Sequence, residues 1–203
     1  MHLSAILLGA LITTATCESV NTTQEYHLKT RLKPHQSDKE RFDKLYLYTW
    51  SGSIGRNGMS DVVFESEKDQ YCAKGFLSSV ANSTVADDNS QQFVVGTNDP
   101  YVMTMAEGAG WDTAWQSVRF RRDYEMSSPD AIENGFFINS TGLQWTLTPG
   151  KAGTPEDSFG GWLVCDWWHL EPQLFFRNKF NHHYSTPKSC AEVFLTVHLS
   201  FTP

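Results

Sequence analysis

The sequence predicts an all-β domain, and three observations carry that expectation. Short runs rich in Val, Phe, Tyr, Trp and Thr recur along the 203-residue chain. Clusters of Gly, Asn, Asp, Ser and Pro separate them, and no stretch holds the sustained 3.6-residue period of a long helix. Twelve runs read as strands. In order they are YHLKT from Tyr26, LYLYT from Leu45, DVVFES from Asp61, KGFLSS from Lys74, QQFVVGT from Gln91 and YVMTMA from Tyr101. They continue with SVRFRRD from Ser117, GFFINS from Gly135, LQWTLT from Leu143, GWLVCDWW from Gly161, QLFFRNK from Gln173 and EVFLTVHLSF from Glu192. The longest connections are polar, RLKPHQSDKERFDK after the first run and VANSTVADDNS after the fourth.

Taken in fours, the runs form three units that begin near Tyr26, Gln91 and Leu143. In each unit a second strand (LYLYTWSG, YVMTMAEG, GWLVCDWW) precedes a third that ends in an aromatic and a charge (VVFE, VRFR, LFFR). A fourth follows, built on GFL, GFF or VFL. A threefold internal repeat of four-stranded units predicts a β-trefoil-like barrel, whose closure removes exposed sheet edges. A two-layer β-sandwich is the alternative that strands of this length and spacing also fit.

The first 17 residues hold an apolar run from Leu3 to Ile12 followed by small residues, the pattern of a secretory signal peptide. Cleavage after Ala15 or after Cys17 both fit. The expected organisation is a leader over 1–17 and one secreted, extracellular domain over 18–203, a length suited to a single core. No later window is apolar over a membrane-spanning length, so a soluble monomer without membrane contact is expected. The leader contains no Asp, Glu, Lys or Arg, so the formal charge of −7 belongs to the domain and argues against nucleic acid as a partner. Arg119, Arg121 and Arg122 form the one dense basic cluster, read as a solvated strand face. Sequons at Asn21, Asn82 and Asn139 are compatible with glycosylation during secretion. An oxidising compartment favours a disulfide, and Cys165 with Cys190 is the expected pair because each lies at a strand-like run. Cys72 is then free or joined to Cys17.

The stretches YHLKT, LYLYTWSGSIGRNGMSDVVF, GFFINSTGLQW, FGGWLVCDWWHLEPQLFF and SCAEVFLTVHL together resemble a family of small secreted proteins of unknown function from filamentous ascomycete fungi. The resemblance covers nearly the whole mature chain, and FGGWLVCDWWH with PQLFF is its most specific part. It implies a fungal source and secretion, and it brings no catalytic residues with it. The chain departs from the family at Tyr48-Thr-Trp-Ser-Gly-Ser-Ile-Gly55, where a tighter Tyr-His-Thr-Gly-Ala-Gly is common.

Catalytic patterns are sparse. Cys165, Asp166, His169, His182 and His183 have the atom types of a zinc site, but adjacent strand residues face opposite ways and Cys165 is better used in a disulfide. Ser51-Gly-Ser-Ile-Gly55 lacks the first glycine of a nucleophile elbow and enters no helix. Asp166 with Glu171, and Asp130 with Glu133, are carboxylate pairs that any acidic surface supplies. No catalytic residue, metal or cofactor is assigned, and a non-enzyme is expected. His27 and His198 read as strand positions half in solvent.

Aromatic residues make up 13% of the chain, and three of the seven tryptophans stand in the Gly161–Trp168 run. Strand alternation puts Trp162, Val164, Asp166 and Trp168 on one face and Leu163, Cys165 and Trp167 on the other. The Leu163 face, bearing the disulfide cysteine and matching Leu45 and Leu47 of the first unit, is assigned inward. Trp162, Asp166 and Trp168 are then the candidate ligand-binding residues, an aromatic and carboxylate surface suited to a glycan or cell-wall polysaccharide; coverage of these rings by loops is the structural alternative. Expected alternative functions are protease inhibition through the Val80–Ser90 loop, which lacks Lys and Arg, and interaction with a host or competitor protein.

Overall fold

Alternation of apolar and polar residues turns one side chain in two toward a shared interior, and each of the twelve runs lies on a strand. The computed structural model describes residues 24–50, 59–67, 71–95, 100–106, 114–122, 131–167, 170–181 and 185–199. Within these the strands are β1 (Tyr26–Leu32), β2 (Tyr46–Thr49), β3 (Met59–Glu65), β4 (Lys74–Ser79), β5 (Asn89–Val94), β6 (Tyr101–Ala106) and β7 (Trp115–Arg122). They continue as β8 (Ala131–Ile132), β9 (Phe136–Asn139), β10 (Gly142–Trp145), β11 (Phe159–Asp166), β12 (Pro172–Asn178) and β13 (Cys190–Leu199). The thirteenth element absent from the sequence reading is β8, whose two residues pair with Met105 and Ala106. Such a short ladder has no periodicity of its own to detect.

The described strands form one antiparallel sheet that closes in a ring. β1, β4, β5, β9, β10 and β13 pair in that order, and β13 returns to β1 over a ladder from Tyr26↔Leu199 to Leu32↔Val193. The other long strands form three hairpins, β2–β3, β6–β7 and β11–β12. These hairpins meet through β3, β7 and β12, each pairing with the other two.

At each hairpin one cross-strand pair faces the common core: Leu47↔Phe64, Met103↔Phe120 and Trp162↔Phe176. These phenylalanines are the ones in VVFE, VRFR and LFFR. The ring strands add Tyr26, Leu28, Phe93, Phe136, Leu143, Trp145 and Leu195 to the same core. Two bulky polar tips are satisfied inside it. Trp162 Nε1 donates to the Leu143 carbonyl at 2.6 Å, and Trp145 Nε1 to the Asn134 carbonyl at 2.9 Å. The Tyr26 hydroxyl donates to Gln91 Oε1 at 2.5 Å, and burial pushes its phenol up, keeping it neutral.

Two glycine sites are dictated by close approach. A Cβ on Gly75 would stand 2.9 Å from the rings of Tyr26 and Phe93 and from the Gln91 amide. Gly142, at φ +118°, brings its backbone so near β13 that a Cβ would lie 2.0 Å from the Leu195 carbonyl oxygen. At Gly160-Gly161 the β11–β12 register shifts between Phe159 and Trp162, so both rings turn to the core and stand 4.8 Å apart in an edge-on arrangement.

Trp162 therefore carries much of the packing beneath its hairpin. Trp162→Ala is expected to cost about 3 to 5 kcal/mol, lowering the urea midpoint while far-UV circular dichroism stays β-dominated. A loss below about 1 kcal/mol would contradict its place in the core.

Candidate functional site

β11 is buried on both faces, which corrects the inward and outward assignment made from alternation alone. Trp162, 1% exposed, and Val164 belong to the main core. Trp162 is the repeat partner of Leu47 and Met103, so it fills a core position and offers no surface to a ligand. Leu163 and Cys165 turn outward into a second, smaller cluster with Phe175 and Cys190, roofed in part by Trp115. The candidate Trp168 lies outside the described residues, as do His169, His182, His183, Asp130, Asn21, the 1–17 leader and most of the Tyr48–Gly55 departure.

Cys165 and Cys190 are joined in a disulfide and stand directly opposite each other on β11 and β13. Beside them the Asp166 amide N–H donates to the Ser189 carbonyl at 2.8 Å. With its sulfur in that bond Cys165 is no metal ligand, and no group of three His, Cys, Asp or Glu among the described residues is placed to hold a metal ion. Asp166, the remaining candidate, forms an ion pair with Arg41, whose guanidinium lies 4.6 Å over the Phe42 ring. Its charge is thus already compensated.

Trp167 continues the Leu163 and Cys165 face and is 56% exposed. Its indole stands edge-on to Phe175, with ring centres 5.8 Å apart. On the same outer face, where the three hairpins meet, β12 contributes Gln173, β3 contributes Asp61 and β7 contributes Ser117 and Arg119. Gln173 Nε2 donates to Asp61 Oδ2 at 3.5 Å, and Arg119 Nε lies 3.7 Å from Asp61 Oδ1. Leu170, at the hairpin turn beside Trp167, is 97% exposed. Trp167 and Phe175 thus form an aromatic patch on the face that also carries Asp61 and Arg119, while Gln173 is buried there.

Sequence reasoning missed Trp167 because it sent the Leu163 face inward. A signal was available: aligning the third-strand phenylalanines of the units sets Phe176 beside Phe64 and Phe120, so the residue across from it must be apolar and inward. Other surface expectations also change. Arg121 is buried and held by Glu133 through two bonds of 2.6 and 2.8 Å, so it leaves the solvated face on which Arg119 stays exposed. His27 is buried, its Nδ1 3.1 Å from the buried Cys72 sulfur, whereas His198 is exposed.

Asn82 and Asn139 are both exposed, on the β4–β5 connection and at the β9–β10 turn. The Asn139 carboxamide oxygen accepts from the Thr141 amide at 2.8 Å and from its hydroxyl at 2.7 Å. The β4–β5 connection lines a shallow depression of about 300 Å³ between Ser79 and Asn89. Its carboxylates are tied back to neighbouring segments, Asp88 to Asn134 and Asp87 to the Gly150 amide. Among the described residues no helix is long and apolar enough to cross a membrane.

Fold and surface together define a ring-closed all-β domain with an aromatic platform on its outer wall. The chain belongs to a family of domains of unknown function, DUF7907, whose model matches residues 23–198. No curated protein and no solved structure matches it.

The disulfide ties β11 to β13 beneath Trp167. In the chain-entropy model a bond spanning 25 residues stabilises by about 3 to 4 kcal/mol. Cys165→Ala/Cys190→Ala is expected to lose roughly that amount in urea titration. Unchanged stability would show that the strand ladder alone holds β11 to β13.

Proposed function

We propose that this protein is a secreted, non-catalytic binding module that takes carbohydrate, as free glycan or cell-wall polysaccharide, on the Trp167 platform. The observation that carries the reading is Trp167, a large ring left half in solvent yet held edge-on against Phe175 over a disulfide-tied strand pair. Such pre-organisation lowers the ordering cost of binding. Sugar rings present axial C–H groups to an indole face, and Asp61 and Arg119, on the same outer face, supply an acceptor and a donor for hydroxyls. One stack contributes about 1 kcal/mol, so single sites bind weakly and a polymer gains by repetition. The non-catalytic part is supported by carboxylates considered for acid–base work: Asp166 is paired with Arg41 and Glu133 with Arg121. Secretion is supported by the leader pattern and the disulfide.

We also read the topology as a β-trefoil. Six strands pairing in a closed order, with three hairpins joined through their third-run strands, are the pairings that three four-stranded units require. An experimental structure should superpose the units starting at Tyr26, Gln91 and Leu143 about one axis by rotations near 120°. Units that fail to superpose would remove the trefoil and leave the ring.

The binding test is retention on insoluble chitin, β-glucan and cellulose, followed by tryptophan-fluorescence titration with soluble oligomers. Retention on at least one polymer is expected, with a loss of about fivefold in Trp167→Ala at unchanged melting temperature. No retention on any polymer, or equal retention by the variant, would refute the platform.

A further inference from the structure

The β9–β10 hairpin carries a motif that the Trp167 platform does not use. Asn139 and Gly142 pair across a two-residue turn, so the tripeptide Asn139-Ser140-Thr141 forms the tip of the hairpin. Alternation along β9 sends Phe136 and Ile138 to the core and turns Asn139 to solvent, where Ser140 joins it. Asn139 Oδ1 accepts from the Thr141 amide at 2.8 Å and from the Thr141 hydroxyl at 2.7 Å, and Gln144 Nε2 donates to that hydroxyl at 3.2 Å. Asn139 Nδ2 donates to no described residue.

Every one of these contacts lies between residues 139 and 144, so the tip forms from local sequence and needs no closed barrel. Its side-chain nitrogen therefore stands open before the barrel closes and after it. Attachment of a sugar to Nδ2 replaces one of its two N–H bonds by N–C and leaves Oδ1 untouched, so both Thr141 bonds survive it. Asn82 offers the same tripeptide without such a tip: its backbone is at φ +65°, and Ser83 Oγ turns to the Val85 amide instead. The tip also stays clear of the platform. Gly142 lies against Leu195, and Cys190 is five residues away along β13, about 17 Å at strand spacing, with Trp167 further still beyond the disulfide.

We propose that Asn139 is an N-glycosylation site, its glycan standing at the β9–β10 tip on a part of the wall separate from the Trp167 platform. The inference rests on secretion as read above, because the donor, an oligosaccharide on a lipid pyrophosphate, and its transferase belong to the secretory pathway. In the transfer a bond forms between Nδ2 and the first carbon of the sugar, and the bond from that carbon to the pyrophosphate oxygen breaks. The departing pyrophosphate keeps the electron pair, and the proton lost from Nδ2 neutralises it. The product carries a bulky, solubilising group where the hairpin meets solvent. Different residues carry this inference, so it stands whether or not the Trp167 platform binds sugar.

The test is expression of the full chain in a eukaryotic host, recovery from the medium, and treatment with peptide N-glycosidase in heavy-oxygen water before peptide mass spectrometry. Conversion of Asn139 to an aspartate bearing heavy oxygen is expected in most copies. Thr141→Ala should abolish that label, whereas Thr141→Ser, which keeps the hydroxyl, should retain it. An exported chain whose Asn139 is unmodified would overturn the proposal, as would label at Asn139 that persists in Thr141→Ala. Failure of the full chain to leave the cell would sink the secretion reading and this proposal with it, an outcome told apart from the first by where the chain is found. The unmodified chain decides the matter even if a substitution perturbs folding.

Discussion

Closure of β13 onto β1 is the constraint from which the other features follow. The ladder from Tyr26↔Leu199 to Leu32↔Val193 joins the first strand of the chain to the last, so none of the six ring strands is left as an open edge. A closed ring has one inside, and every strand must commit alternate side chains to it. Leu28 and Leu195 meet there with Phe93, Phe136 and Trp145, while the three hairpins add Phe64, Phe120 and Phe176. Substitution at these positions acts on the shared core, whatever the surface does.

Closure also determines where chemistry can be displayed. With the interior filled by aromatic and aliphatic side chains, ligand contacts must form on the outer wall, where strands can add small local clusters. Two such clusters are found among the described residues. One collects Leu163, Cys165, Phe175 and Cys190, and the other collects Tyr48, Val63 and Cys72. The first supports Trp167 from below. The second takes His27 out of solvent, although alternation along β1 turns it outward.

How much of this could be read from the sequence depends on what each feature rests upon. The twelve strand runs were legible because each rests on local composition and bounding turns. The disulfide was legible because both cysteines adjoin strand-like runs, and the three hairpin phenylalanines of the core were visible in the aromatic-charge endings of VVFE, VRFR and LFFR. What was not legible is the choice between two apolar faces of one strand. On β11 both faces are apolar, and alternation separates Trp162 from Leu163 without saying which points inward; that is decided by cross-strand register, Trp162 against Phe176, which no single segment contains. Arg121 was misplaced for a related reason, since the carboxylate that buries it comes from Glu133, beyond the strand itself.

The run from Gly160 to Trp167 shows how one segment serves both the core and the surface. The double-glycine bulge rotates the strand so that Phe159 and Trp162 both reach the core, and the regular alternation that follows delivers Trp167 to the outer face. Without the bulge, Phe159 and Trp162 would point to opposite sides, since they are three residues apart. The core would then lose one ring or the outer cluster would lose its order. The disulfide completes the arrangement by fixing β11 to β13 at the point where the strand leaves the core and its last rings meet solvent. Rigidity beneath Trp167 is thus a by-product of packing that the fold needs in any case, and an exposed aromatic ring held on such a base can meet a ligand with little further ordering.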